Sequence, residues 1–161
     1  MAASPSITRL LAPFVHPADR LLLAVSGDRT CLTTLCTGLP VRLVTTTGAR
    51  SGLPRAHPLT ILQEGECLVL IASNFGRSRF PAWYHNLRAQ PVARVRLGGR
   101  QRAFRARPAS AEERARWWAM AVDLYPGYAD YERRAAPRTL PVFALEPARQ
   151  AEARQPRGHG W

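Results

Sequence analysis

Residues 41–91 read VRLVTTTGARSGLPRAHPLTILQEGECLVLIASNFGRSRFPAWYHNLRAQP. Short β-branched and apolar runs are cut every few residues by Gly, Pro or a Gly-bounded loop, a texture of strands and turns rather than of long helices. The whole chain carries 14 prolines and 11 glycines, which favours a β-rich or α+β layout over a helical bundle. Val41–Thr47 reads as a strand, with a loop over 48–52. Residues 58–63 and 67–72 read as a hairpin turning at Glu64-Gly65-Glu66. A short helix follows over 80–90, with Pro81 in its first turn and Pro91 ending it.

The second half continues this pattern. Val92–Leu97 and residues 100–107 form a hairpin, because Gly98-Gly99 suits a two-residue turn that needs positive φ. Ser110 and Glu113 make a capping box, so a helix starts there and runs through Trp117, Trp118 and Val122. Tyr125-Pro126-Gly127 breaks it, a shorter helix continues through Tyr131 to Arg134, and residues 139–145 form a last strand. The expected fold class is α+β, mainly β: a small barrel of about six antiparallel strands with helices packed on it. Residues 1–40 read as an N-terminal helical segment, 41–147 as the barrel domain, and 148–161 as a disordered tail rich in Arg, Pro, Gly and Gln.

The 161 residues fit one domain with one substantial core. The net charge is +12, and all 23 basic residues are arginine. A GC-rich coding bias accounts for most of the missing lysine, but the positive field is real and draws anions. The arginines are spread over loops, strands and tail without the aromatic interleaving of a single-strand platform, so no specific nucleic acid is expected. Cys31, Cys36 and Cys67 are odd in number and lack nearby ligand partners, which argues for reduced thiols in a cytoplasmic setting and against zinc. Ile7, Leu10, Leu11, Phe14 and Val15 recur at helical spacing, as a packing helix or, alternatively, as one resting peripherally on a membrane surface.

Four clusters carry chemistry. The loop Gly48-Ala49-Arg50-Ser51-Gly52, with Arg55 beyond it, can gather backbone N–H groups, a hydroxyl and two guanidinium groups around an anion. A plain hairpin turn with solvated arginines fits the same residues. Ala72-Ser73-Asn74-Phe75-Gly76 ends an apolar strand, where donors commonly reach a ligand; a simple connection is the alternative. Trp83, Tyr84 and Asn86 on the short helix offer a flat wall and an amide able to pair with ring heteroatoms, although Trp83 and Leu87, four apart, also suit a core. Tyr125, Tyr128 and Tyr131 recur at i, i+3, i+6, either as half-buried packing or as phenols that hydrogen-bond a substrate oxygen. No Ser-His-Asp order, carboxylate pair, metal cluster or dinucleotide fingerprint accompanies them, so an enzyme with these parts takes its reactivity from an organic cofactor.

Taken together, TTTGARSGLPR, PLTIL, IASNFG, PAWYHNLRAQP, DLYPGYADYERR and LPVFALEP resemble the deazaflavin-dependent nitroreductase family, split β-barrel proteins that use coenzyme F420. The resemblance covers residues 39–147 in the family's order and spacing. It implies that Arg50, Ser51 and Arg55 meet the phosphate and acidic tail of the cofactor. Ala72, Ser73 and Gly76 fall where the family meets the deazaflavin ring and ribityl chain, and Trp83, Tyr84 and Asn86 on its cofactor helix. Tyr125, Tyr128 and Tyr131 fall on the substrate side and, with Ser73, are the candidate catalytic groups.

The chain departs from the family where Ala49 replaces a second basic residue and where Asn74 and Phe75 stand for a lysine and a glycine. The implied activity is hydride transfer from reduced F420 to a quinone, a nitroaromatic or a similar acceptor. The alternative is a carrier of F420 or, less fittingly, FMN with little turnover. A homodimer is also expected, since split barrels commonly pair.

Overall fold

The computed structural model describes residues 38–148. The expected N-terminal helix, Cys31, Cys36 and the C-terminal tail lie outside the described residues. Seven strands form one antiparallel sheet: β1 (Val41–Thr47), β2 (Pro54–Thr60), β3 (Leu62–Glu64), β4 (Cys67–Ile71), β5 (Val92–Leu97), β6 (Arg100–Pro108) and β7 (Val142–Pro147). The helices are α1 (Ala82–Ala89), α2 (Ala111–Leu124) and α3 (Gly127–Ala135), and a 3₁₀ turn occupies Asn74–Gly76.

The sheet order is β2-β1-β5-β6-β7-β4-β3. Its two edge strands are successive segments of one extended run joined at Ile61, so the sheet must curl until its edges meet. This is the split β-barrel, and with β2 and β3 counted as one bent strand it has the expected six. The strand read over 58–63 therefore needs correcting. Residues 54–60 pair with β1, from Val41↔Thr60 to Thr47↔Pro54, and only Leu62–Glu64 pairs with β4. An apolar run cannot announce that its partner changes midway, since both halves share the same local pattern. The last strand also starts later than residue 139. Pro141 has no N–H for a ladder, although its carbonyl still accepts from Ala72 N at 2.9 Å.

Two cores lie on the two faces of the sheet. Leu68 and Leu70 of β4 and Phe143 and Leu145 of β7 face the barrel interior with Val44, Val95, Phe104, Trp83 and Leu87. Val69, Ile71, Val142 and Ala144 face outward under Trp117 and Ala121 of α2 and Tyr128 and Ala135 of α3. Strands covered on both faces read as continuous apolar runs, which is why CLVLI shows no alternation. Trp117 is 1% exposed, and its indole N–H donates to Glu64 at 3.0 Å, while Arg116 grips the same carboxylate through two 2.8 Å bonds. The end of β3 is thereby tied to α2.

Ser110 caps α2 as expected: its hydroxyl accepts from Glu113 N at 3.2 Å, and the Glu113 carboxylate accepts from Ser110 N at 2.8 Å. Arg107 of β6 joins this cap through two 2.7 Å bonds to Glu113 and also binds Glu146 of β7 at 2.8 Å. The bond from Arg107, then that from the Ser110 backbone, hold the Glu113 carboxyl well below its ordinary range, at about 2. A folded-state pKa below the unfolded value of 4.5 means stability present above 4.5 and lost as pH falls from there toward 2. Glu113→Gln is expected to flatten the acid limb of the unfolding midpoint over that window. The effect is modest because the carboxylate is partly exposed.

Candidate active site

The candidate anion loop, residues 48–52, rests on α1. α1 buries Trp83, Asn86 and Leu87, spaced i, i+3, i+4, against the barrel. Asn86 is 6% exposed, so its amide must be satisfied within the protein. Its nitrogen donates to Thr46 Oγ1 at 3.0 Å and its oxygen accepts from Ala49 N at 2.9 Å. Asn86 thus pins the β1–β2 loop to α1, and in this structure its amide is committed to protein partners. Inside the loop, Gly48 N donates to Leu53 O and Gly52 N to Gly48 O, both at 2.8 Å. Gly48 packs closely on the loop: a Cβ there would stand 2.5 Å from Ser51 Oγ and 3.3 Å from Leu53 O, so the Ser51 side chain would have to move to admit one. The Ser51 hydroxyl accepts from Leu53 N at 3.3 Å and from Arg55 at 3.5 Å.

Among the described residues the carboxylates of Glu64, Glu113, Asp130, Glu132 and Glu146 pair with arginines of β6, α2 and α3. Arg50, Arg55, Arg77, Arg79 and Arg138 pair with no carboxylate among the described residues. Unpaired guanidinium groups around a backbone loop are what an anionic ligand requires.

The strand end supplies the next part. Ala72 is fully buried, Ser73 is partly exposed, and Asn74, Phe75 and Gly76 all turn left-handed, with φ of 46°, 57° and 74°. Gly76 packs so closely on α3 that a Cβ would lie 2.8 Å from Tyr131 O and 2.9 Å from Arg134 Cβ. Arg138, which sequence reading did not single out, clamps this turn. Its Nη2 donates to Arg77 O at 2.6 Å and to Ser73 O at 3.4 Å, and its guanidinium lies over the Phe80 ring at 4.6 Å. Phe80 in turn stacks on Tyr84 at 4.3 Å. Tyr84 is partly exposed, whereas Trp83 is buried edge-on to Phe143 at 6.1 Å.

The three tyrosines form one cluster, with ring centroids 5.8–6.1 Å apart. Tyr128 is the most enclosed, 6% exposed and edge-on to Trp118. Burial pushes its phenol up to about 12 against a counteracting hydrogen bond with Thr60. Burial, then a hydrogen bond with Tyr125, push the Tyr131 phenol well above the usual tyrosine range. Both therefore stay protonated at neutral pH and can donate. Phe75 meets Tyr131 edge-on at 5.9 Å, which joins the strand end to the phenols. One chain of contacts runs from Ala49 through Asn86, α1, Phe80, Arg138 and Ser73 to the tyrosines, linking segments far apart in sequence. A cavity of about 570 Å³ lies elsewhere, lined by Pro40, Ile61, Leu68, Leu97 and Met120 among others, and includes none of these residues. Among the described residues no cluster of metal ligands occurs, and no helix is long and apolar enough to cross a membrane.

The profile of the F420H(2)-dependent quinone reductase family matches residues 23–147. The chain belongs to this family. It is 33% identical over 109 residues to an F420H(2)-dependent quinone reductase of Mycobacterium tuberculosis strain H37Rv, an overlap of 66% of this chain and 72% of the relative. Among solved structures, an F420-H2 dependent reductase superposes with a TM-score of 0.61 at 40% identity, covering 66% of this chain and 94% of that one. Another, described as a domain-swapped dimer, gives a TM-score of 0.64 at 34% identity, covering 89% of this chain and all of that one. Family membership agrees with the expected cofactor, fold and reaction class. Sequence reading did not single out Thr46 and Thr60, which lie within TTTGARSGLPR and PLTIL, nor Phe80 and Arg138, which lie outside the motifs.

Proposed function

We propose that this protein is an oxidoreductase that binds reduced coenzyme F420 and passes its hydride to a quinone, with nitroaromatics as further acceptors. The observation that carries the residue assignment is the arginine loop, free of carboxylate partners among the described residues and tied through Asn86 and Arg138 to a cluster of three tyrosines. The fit to the cofactor rests on the donor set: Arg50, Arg55 and the loop backbone suit its phosphate and acidic tail, and Ala72, Ser73 and Gly76 at the strand end suit its ring and ribityl chain. Reduced F420 supplies the hydride. Arg50, Ser51 and Arg55 hold the anionic end. Asn86 sets the loop rather than touching the ring, Trp83 braces α1 from the core, and Tyr84 with Phe80 flanks the strand end.

On the acceptor side, the phenols of Tyr125, Tyr128 and Tyr131 would hydrogen-bond a quinone oxygen as charge develops on it. Tyr128 keeps the cluster packed through Trp118 and Thr60, which leaves the partly exposed Tyr125 and Tyr131 as the phenols that meet the acceptor. The domain-swapped relative supports a homodimer. The amphipathic pattern of residues 7–15 supports peripheral contact of a cytoplasmic protein with the membrane where quinones reside.

Purified protein titrated with F420, with FMN as control, is expected to change F420 fluorescence at micromolar concentrations and leave FMN unbound. Reduced F420 is then expected to be consumed on adding a naphthoquinone. Tyr125→Phe is expected to slow that step about 10²-fold without altering F420 affinity. Absence of F420 binding at micromolar levels sinks the proposal; binding without consumption of reduced cofactor favours a carrier.

A further inference from the structure

Arg138 holds a positive charge that no carboxylate answers. It lies just past α3, fixed by a bond from its own backbone N–H to Ala135 O at 2.9 Å. Its Nη2 is spent on the carbonyls of Arg77 and Ser73, and the Phe80 ring covers the guanidinium at 4.6 Å. Its Nε and Nη1 are buried and find no hydrogen-bond partner among the described residues. A guanidinium cannot shed its proton in response, so a full charge stays desolvated. The Phe80 face and the two carbonyls offset part of that cost, whereas Arg107 and Arg116 each grip a carboxylate. A clamp on two carbonyls needs donors, and a neutral amide would supply them. The charge itself therefore calls for an explanation.

Its surroundings do not cancel it. Arg77 and Arg79 flank the turn, Arg88 lies over Tyr84 at 5.8 Å, and Arg134 lies over Tyr131 at 5.0 Å. The acids of α3, Asp130 and Glu132, are bonded to Arg133 and Arg114. Tyr84 and His85 of α1 pack on Phe80. A charge in a poorly hydrated site acts over several ångströms without contact, so burial extends its reach rather than silencing it. We infer that Arg138 is a positioning residue for the cofactor: its carbonyl bonds set the turn over residues 73–77, and its unanswered charge makes the end of β4 bind the F420 ring preferentially in anionic form. This rests on the placement of that ring at Ala72, Ser73 and Gly76.

The F420 ring carries a hydroxyl whose ionisation changes its visible absorbance, so a pH titration of the bound, oxidised cofactor reads the preference. Arg138→Gln keeps an amide donor for the two carbonyls and loses the charge; Arg138→Lys keeps the charge and loses the planar fork. Arg138→Met is a second neutral form. All three retain His85 and the surrounding arginines, so differences among them isolate Arg138. In both neutral variants the bound hydroxyl is expected to ionise about one pH unit higher than in the unmodified protein, and in Arg138→Lys close to it. By linkage, F420 affinity in the neutral variants is expected to fall about tenfold on the alkaline side of that titration and to stay unchanged on the acid side. A lowered melting temperature with an unshifted titration in both neutral variants overturns the inference and leaves Arg138 a structural clamp. Equal loss of affinity at every pH in the glutamine and lysine variants overturns it too, since shape rather than charge would then matter. If the unmodified protein does not bind F420, the functional reading fails first, and this inference with it.

Discussion

Replacing Asn86 with leucine is expected to destabilise the protein by about 2–3 kcal/mol and to weaken F420 binding about tenfold. Leucine fills nearly the same space, so the loss is polar rather than volumetric. Thr46 Oγ1, on a residue 1% exposed, loses its amide donor, and Ala49 N loses its acceptor. A buried group left without its partner costs more than the bond itself contributes. The binding defect follows because the Ala49 bond holds the loop that carries Arg50. Thr46→Val removes one of the two bonds and is expected to cost less. If Asn86 acts through Thr46, the double variant will fall short of the sum of the two singles. Urea denaturation and F420 titration of the set read both effects. Full stability in Asn86→Leu contradicts this account of α1.

The Arg50→Ala, Arg55→Ala double variant is expected to lose about 10²- to 10⁴-fold in F420 affinity with its unfolding midpoint almost unchanged. A charge-assisted hydrogen bond to phosphate or carboxylate contributes about 1.5–3 kcal/mol, and two such groups are removed. Stability is spared because both side chains are exposed, Arg50 has no partner among the described residues, and Arg55 reaches only Ser51 at 3.5 Å. Salt provides the independent check. Affinity of the unmodified protein should fall as ionic strength rises, and the double variant should show a flatter dependence. Wild-type affinity in the double variant would move the anionic end of the cofactor to Arg77, Arg79 or another site.

Both predictions concern one loop seen from opposite sides, and the two sides differ in how well the sequence reveals them. Gly48-Ala49-Arg50-Ser51-Gly52 is legible as a loop with anion-binding chemistry or as a plain hairpin turn, because glycine and arginine carry their chemistry wherever they stand, and the ordered motifs favour the first. Ser110 with Glu113, the Gly98-Gly99 hairpin and the Tyr125-Pro126-Gly127 break were legible for a similar reason. Each is an interaction among residues within a few positions of one another. The tyrosine spacing was legible as a helical face, and it clusters as that spacing implies.

Thr46 and Asn86 meet across 40 positions, and Ser73 and Arg138 across 65, so no periodicity connects them. The switch of pairing at Ile61 was hidden too, since one apolar run serves two ladders on opposite edges of the sheet.

The sequence by itself determined the strand-and-turn texture, the capped helices, the excess of arginine and, through its ordered motifs, the family and its cofactor. Only the tertiary structure decided which of those residues are buried against the protein and which stay exposed. Asn86 and Trp83 resemble ligand groups in the motif yet are spent on the loop and the core. Arg50, Arg55, Arg77, Arg79 and Arg138 pair with no carboxylate among the described residues, while Glu64, Glu113, Asp130, Glu132 and Glu146 are taken by arginines of β6, α2 and α3. Phe75 sits on a left-handed turn edge-on to Tyr131. The physical reason is common to all three: burial and hydrogen-bond satisfaction belong to the space between segments, and a residue's type does not state who its neighbours will be.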